Sequence, residues 1–159
     1  MQEHEKTIRS VLLPLTNESV LLPHSAMMEV LPERDITPVE NRAKWVIGEV
    51  IWNNKPIPLV AMEMVFGAEK VEKPKRSRIV IVACLSAEND YQYIAIRTTG
   101  VPRLVQFKDE TLKLMKFNGL SDEFIQFYGE LNHQMVIIPD MKKLESCIVV
   151  SHVKKKKTV

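Results

Sequence analysis

Few side chains in this sequence stand where they could make or break a bond. The four histidines, His4, His24, His133 and His152, are scattered. None has a partner at the i, i+4 spacing that places two metal ligands on one helix face. Cys147 and His152 are five residues apart, and a metal centre there needs two more ligands. His133 falls in a turn signal, where imidazole is solvated. There is no G-x-S-x-G elbow for a nucleophilic serine, and five glycines in all leave no glycine-rich phosphate loop of either common type. Asp122 and Glu123 precede an apolar stretch, a place for turn or cap residues rather than an acid–base pair. The sequence therefore nominates no catalytic residue, no metal ligand and no cofactor site. Because triads assemble from distant positions, an enzyme stays as a third-ranked reading.

Binding chemistry is better represented. Met27, Met28 and Val30 stand together on what reads as a short helix, and methionine adapts to partner surfaces as readily as it fills cores. Trp45 and Trp52 bracket Gly48 on a predicted strand. Seven residues apart, they alternate onto opposite faces, one for the core and one nearer the surface. The segment from Glu69 to Arg78 carries five basic residues, and Lys154 to Lys157 form a basic tail. Both read as solvated charge runs. A nucleic-acid-binding β-barrel that uses the Lys70–Arg78 loop and the lysine tail is the alternative function.

The elements that would position these groups are mostly short strands. Ile8 to Leu15 and Ser19 to Leu22 flank a turn at Asn17-Glu18. Val46 to Trp52 and Ile57 to Val60 flank Asn53-Asn54, a pair that tolerates positive φ and so predicts a tight hairpin turn. Arg78 to Leu85 and Tyr91 to Arg97 flank Ala87 to Asp90. Phe124 to Leu131 and Met135 to Ile138 flank Asn132-His133-Gln134. Val101 to Phe107 is a further strand, and Cys147 to Val153 is expected to add the last. Helical signals are brief: Ser25 to Leu31, Met62 to Phe66 ending at Gly67, and Asp140 to Glu145 capped by Asp140. Pro32 to Arg42 reads as a connection. GEVIWNNKPIP from Gly48 and GELNHQMVIIP from Gly129 share glycine, glutamate, branched apolar and proline positions. That recurrence predicts two related hairpins in two similar lobes.

Composition sets the outer limits. At 159 residues, 45% hydrophobic and 26% charged, the chain suits one globular domain or two small intertwined lobes. The net charge of +2 is concentrated in the tail; without Lys154 to Lys157 the body has 18 basic against 20 acidic residues. That balance weighs against phosphate-backbone binding. The longest apolar run, Ile79 to Leu85, is far short of the roughly 20 residues that cross a bilayer, so no membrane insertion is expected. The first ten residues, MQEHEKTIRS, show no secretory pattern. Two cysteines in apolar runs read as reduced thiols in a cytoplasmic protein.

Taken in order, these pieces resemble the CheW-like family of bacterial chemotaxis coupling proteins. The run MMEVLPERDITPVENRAKWVIGEVIWNNKPIPLVAME is similar to that family's signature region. Glu29-Val30, Ile36-Thr37-Pro38, Gly48, Pro58 and Leu59-Val60 stand at its marked places. RIVIVACLSAENDYQYIAIRTTGV resembles the second hairpin, and GELNHQMVIIPDMKKLE the closing strand pair and final helix. The resemblance implies a mainly β fold of two intertwined SH3-like five-stranded barrels with a few short helices. The expected domain spans residues 8–153, with 1–7 and 154–159 as flexible termini. It implies no catalysis, and partners that are a histidine kinase regulatory domain and a chemoreceptor cytoplasmic tip. A ChpC-like auxiliary role in type IV pilus twitching motility is the narrower expectation. The partner-binding residues carried over by position are Met27, Glu29 and Val30, with Gly48, Asn53 and Asn54. The family's hairpin arginine is Asn53 here, its turn glycine Asn54, and the aspartate after the following strand Ala61. Losing the arginine removes a fork of donors that asparagine does not reproduce, which sets the receptor contact apart from the kinase contact.

Overall fold

A computed structural model describes residues 6–40, 42–85, 91–119 and 121–148. The hairpins arise where alternating apolar residues meet a two-residue turn. Strands β4 (Val46–Trp52) and β5 (Lys55–Val60) are joined by Asn53 and Asn54, at φ 50° and 62°. Strands β10 (Ile125–Leu131) and β11 (Gln134–Pro139) are joined by Asn132 and His133, at φ 50° and 66°. Two consecutive left-handed residues give the turn whose twist matches antiparallel strands. The remaining elements are β1 (Thr7–Pro14), β2 (Ser19–Pro23), β3 (Met27–Pro32), helix α1 (Met62–Val65), β6 (Arg78–Ala83), β7 (Tyr93–Thr98), β8 (Arg103–Lys108), β9 (Lys113–Leu114) and helix α2 (residues 141–148).

The strands form two sheets, ordered β3-β6-β7-β5-β4 and β8-β1-β2-β11-β10-β9. The same plan occurs twice. In each, an antiparallel hairpin (β6–β7 or β1–β2) pairs in parallel with the second arm of another hairpin, β7 with β5 and β2 with β11. In each, the chain leaving one edge strand bends across to pair with the opposite edge. Past β3, Thr37 bridges Glu49 of β4; past β8, Lys113 and Leu114 pair with Glu130 and Gly129 of β10. That return closes each sheet into a barrel-like lobe. The lobes are interlocked by connectivity: β1–β2 lie in one lobe while β3–β5 lie in the other, and β6–β7 and β8–β11 repeat the exchange.

Burial explains the near-continuous apolar runs. Ile79 and Ile81 fill the β3–β7 lobe with Leu31, Val50, Ile57, Leu59 and Ala95, whereas Val80 and Val82 face the other way. They join Ile94, Ile96, Val11, Leu13, Val20 and Leu22 in a central core between the lobes. Leu12, Leu21, Phe107, Leu131 and Val136 fill the second lobe. Strands buried on both faces lose the clean alternation of a half-exposed sheet.

Two expectations are corrected. Ser25 to Leu31 is one 3₁₀ turn (His24–Ala26) followed by β3, not a two-turn helix. The middle of β6, Ile79 to Val82, is buried and its outer edge needs a hydrogen-bonding partner, which Met27–Pro32 supply antiparallel, with a bulge between Met27 and Glu29. Cys147 and Ile148 end α2 rather than open a strand; residues 149–153 of that expected strand lie outside the described residues. Met141, Leu144 and Ile148 recur at helical spacing and are buried in the central core. The backbone N–H of Lys143 donates to Asp140 Oδ1 at 3.1 Å, so Asp140 caps the helix as its sequence position predicts. The turn at Ala87–Asp90 and the tail Lys154–Lys157 also lie outside the described residues.

Candidate functional site

The expected partner-binding residues map to the seam of the β3–β7 lobe, where β3 and the β4–β5 hairpin are the two edges of one sheet. Side-chain hydrogen bonds tie the two ends of this lobe. At one end Trp52 Nε1 donates to Glu29 Oε2 at 2.5 Å, and the indole meets Tyr93 edge-on at 5.0 Å between ring centroids. Arg34 Nη1 donates to the carbonyl of Ile51 at 3.0 Å, a second tie from the chain past β3 to β4. At the other end Glu33 accepts from Ser77 Oγ and from Arg97 Nη2, each at 2.6 Å. Burial opposes the charge on Glu33. The two hydrogen bonds and the Arg97 and Lys73 charges outweigh it and hold the carboxyl below its usual range.

The six residues divide. Glu29, Val30, Asn53 and Asn54 are exposed, and the Glu29–Trp52 bond links the first of them to the residue preceding the hairpin tip. Met27 is half-buried against the central core. Its neighbour Met28 is the outward methionine, 47% exposed. Gly48 is buried: a side chain there would run into Ile36 and would stand 2.8 Å from the carbonyl oxygen of Thr37. Its position serves the close approach of two backbones, not a surface. Residue-type reasoning missed Ile51, 55% exposed on β4, and the role of Trp52 as the partner of Glu29. No local signal marks either, because the partners are 17 and 23 residues away. Trp45, by contrast, is buried against Phe124 in the central core. The two tryptophans do part, but Trp45 stands in the turn before β4 and a bulge between Val46 and Gly48 breaks the alternation, so strand spacing is not what separates them.

The second lobe has a related display. β8 occupies in its sheet the edge that β3 occupies in the other, and Val101 and Leu104 are 62% and 64% exposed. The charged connection before β6 leaves Lys70, Lys73, Lys75 and Arg76 exposed, while Arg78 folds back onto the carbonyls of Arg76 and Ser77. Among the described residues no three His, Cys, Asp or Glu side chains are grouped to hold a metal ion, and no helix is long and apolar enough to cross a membrane.

Comparison with known proteins follows the same outline. The CheW-like domain family matches residues 9–147. No curated protein matches the chain significantly. Among solved structures, the scaffolding protein TtCheW from Thermoanaerobacter tengcongensis superposes with a TM-score of 0.68 at 21% identity, over 84% of this chain and 89% of that one.

Proposed function

The chain belongs to the CheW-like domain family, and from that premise we propose that it is a non-catalytic adaptor of a bacterial chemosensory array. In this reading it works in the cytoplasm and docks a histidine kinase regulatory domain through the β3 edge and the β4–β5 hairpin. Met28, Glu29, Val30, Asn53 and Asn54 are the contacts, with Gly48 and Met27 acting from beneath. The observation that carries the reading is the family match across both interlocked lobes. The described relative of the same fold is itself a scaffolding protein. Exposed aliphatic side chains on the edge strands of both lobes add support, because apolar groups clustered on an open edge suit docking.

A chemoreceptor tip is the second partner. With Asn53 where the family has arginine, that contact rests on Trp52, Ile51 and Val30 rather than on a guanidinium fork. Service in type IV pilus twitching motility, as a ChpC-like auxiliary protein, is the narrower part of the proposal. The test is pairwise binding of the full chain to the kinase regulatory domain and receptor tip encoded beside it. A complex weakened by Val30→Asp supports the reading. No complex at high micromolar concentration overturns it.

A further inference from the structure

A second surface lies apart from the seam. Where the lobes meet, a groove opens with a cavity of about 400 Å³ at its core, and no residue of β3 or of the β4–β5 hairpin lines it. Its walls include Leu15, Phe66, Phe117 and Tyr128, with Phe117 and Tyr128 packed edge-to-face at 5.0 Å. Glu18, from the β1–β2 turn, and Glu63, from α1, stand in the same walls. They come from opposite lobes, and the charge of Glu18 reaches Glu63 as the smallest of the influences on it. Among the described residues neither forms an ion pair. The guanidinium that acts on Glu63 from a distance, Arg97, is already bonded to Glu33. Burial raises both carboxyls above their usual range, and for Glu63 the charge of Glu18 adds to it while its own backbone N–H and Arg97 oppose. A largely apolar cleft thus holds two partly buried acids, neither in an ion pair among the described residues.

We propose that this groove docks a segment of a partner protein in which a lysine or arginine stands beside a large apolar side chain. The cation lies between Glu18 and Glu63, and the apolar group lies against Phe117 and Tyr128. Charge complementarity selects this occupant: a cation relieves the repulsion between the carboxylates, and an anionic or purely apolar segment does not. The groove continues past Thr16, Asn17, Glu63 and Ala68 into a wider cleft bordered by Lys70, Lys73 and Lys75. An acidic residue further along the same segment would meet those lysines. The inference stands independently of the function proposed above, since it concerns a different face.

The probe is a capped peptide, acetyl-Ala-Leu-Arg-Leu-Ala-amide, titrated into the nitrogen-15-labelled full chain near neutral pH. Its control carries citrulline, an uncharged isostere, in place of arginine. The arginine peptide is expected to shift the amide signals of Glu18, Glu63, Phe117 and Tyr128. The citrulline peptide is expected to bind about tenfold or more weakly, the loss of one charge-assisted contact. The double variant Glu18→Gln, Glu63→Gln keeps the shape of the groove, melts no lower than the parent, and no longer distinguishes the two peptides. If it fails to fold, Glu63→Gln alone carries the same expectation. Equal binding of both peptides, shifts centred elsewhere, or no binding at millimolar peptide overturns the proposal. So does binding seen only after Lys154–Lys157 are changed to glutamine, which would make the chain's own tail the occupant.

Discussion

Replacing Gly48 by alanine probes how the first lobe is closed. The new methyl carbon would sit 2.8 Å from the Thr37 carbonyl oxygen and collide with Ile36. Thr37 cannot simply withdraw, because its N–H donates to the Glu49 carbonyl at 2.9 Å and its own carbonyl accepts from the Glu49 N–H at 2.8 Å. Giving way breaks one or both bonds, at about 0.5–1.5 kcal/mol each. Holding alanine at φ +159° adds backbone strain of about 1–3 kcal/mol. A stiffer unfolded chain returns about 0.4–1 kcal/mol. The net loss centres on about 2–3 kcal/mol, or a drop in Tm of about 4–12 °C for a chain of this size. Two companions make the experiment self-checking. Gly100→Ala, whose nearest neighbour is Pro14 Cγ at 3.9 Å, should be neutral or slightly stabilising. Gly129→Ala, which would run into the Lys113 carbonyl of β9, should lose at least as much as Gly48→Ala. Urea unfolding followed by circular dichroism, with unchanged slopes, gives the comparison. If Gly48→Ala stays within about 0.5 kcal/mol of the parent, the crossing of Thr37 over this glycine does not close the lobe, and the reasoning fails.

Four other outcomes are expected. Trp52→Phe and Glu29→Gln should each cost about 1 kcal/mol, with a coupling of about 0.5–1 kcal/mol in a double-mutant cycle; strict additivity would show that the indole–carboxylate bond does not form. Glu33 has its carboxyl held low, so its contribution to stability is present above pH 4.5, the ordinary glutamate value, and is lost as pH falls through the depressed pKa. Urea midpoints of Glu33→Gln between pH 3 and about 6 should therefore fall less steeply on acidification than the parent's. The sign reverses for Glu63, whose raised carboxyl favours the folded state below pH 4.5 and loses that advantage as pH rises through the folded value; Glu63→Gln should raise the urea midpoint near neutral pH. Met28→Asp should keep the melting curve and weaken kinase-domain binding, while Met27→Asp, at a half-buried position on the central core, should lower the melt itself; the reverse pattern would exchange their roles.

How far the residues announce this fold depends on how local the deciding interaction is. Asn53-Asn54 and Asn132-His133 announce their hairpins because the turn is made by the pair itself. Gly67, at φ 108° just past α1, ends that helix for an equally local reason. β3 is misread because Ser25 to Leu31 carries apolar residues on nearly every position, and what makes it a strand is the bare edge of β6, some fifty residues later. The closing contact at Gly48 is legible only as a glycine, not as the partner of Thr37. The groove carboxylates are less legible still, since Glu18 reads as a turn residue and Glu63 as part of a one-turn helix. Their meeting depends on which lobe each hairpin joins, and a run buried on both faces, such as Ile79 to Val82, does not say which side is which lobe.

The same repeat that makes the lobes alike shows how they diverge. Measured from its pivot glycine, the β4–β5 hairpin turns after Trp52, whereas the β10–β11 hairpin turns after Leu131. The first arm is thus longer by two residues, about 6–7 Å of strand. Those residues are Ile51 and Trp52, and they let the indole reach Glu29 and Tyr93 and seal the end of their lobe. The shorter hairpin has no side chain to reach as far, and a cavity of about 230 Å³ stays open between Leu12, Val105 and Leu131. Arg103 and Gln134 stand at its edge, bonded to each other at 2.9 Å, with Gln134 tied in turn to Ser19. Two otherwise equivalent ends therefore present different chemistry, a rigid aromatic plug beside exposed aliphatics in one lobe and an open polar-rimmed hollow in the other. Grafting settles whether hairpin length sets that difference. Inserting Ile-Trp before Asn132 and Lys-Pro after His133 should fill the hollow and leave the kinase-domain binding proposed for the first lobe intact. Loss of binding there as well would show that the two ends act as one surface.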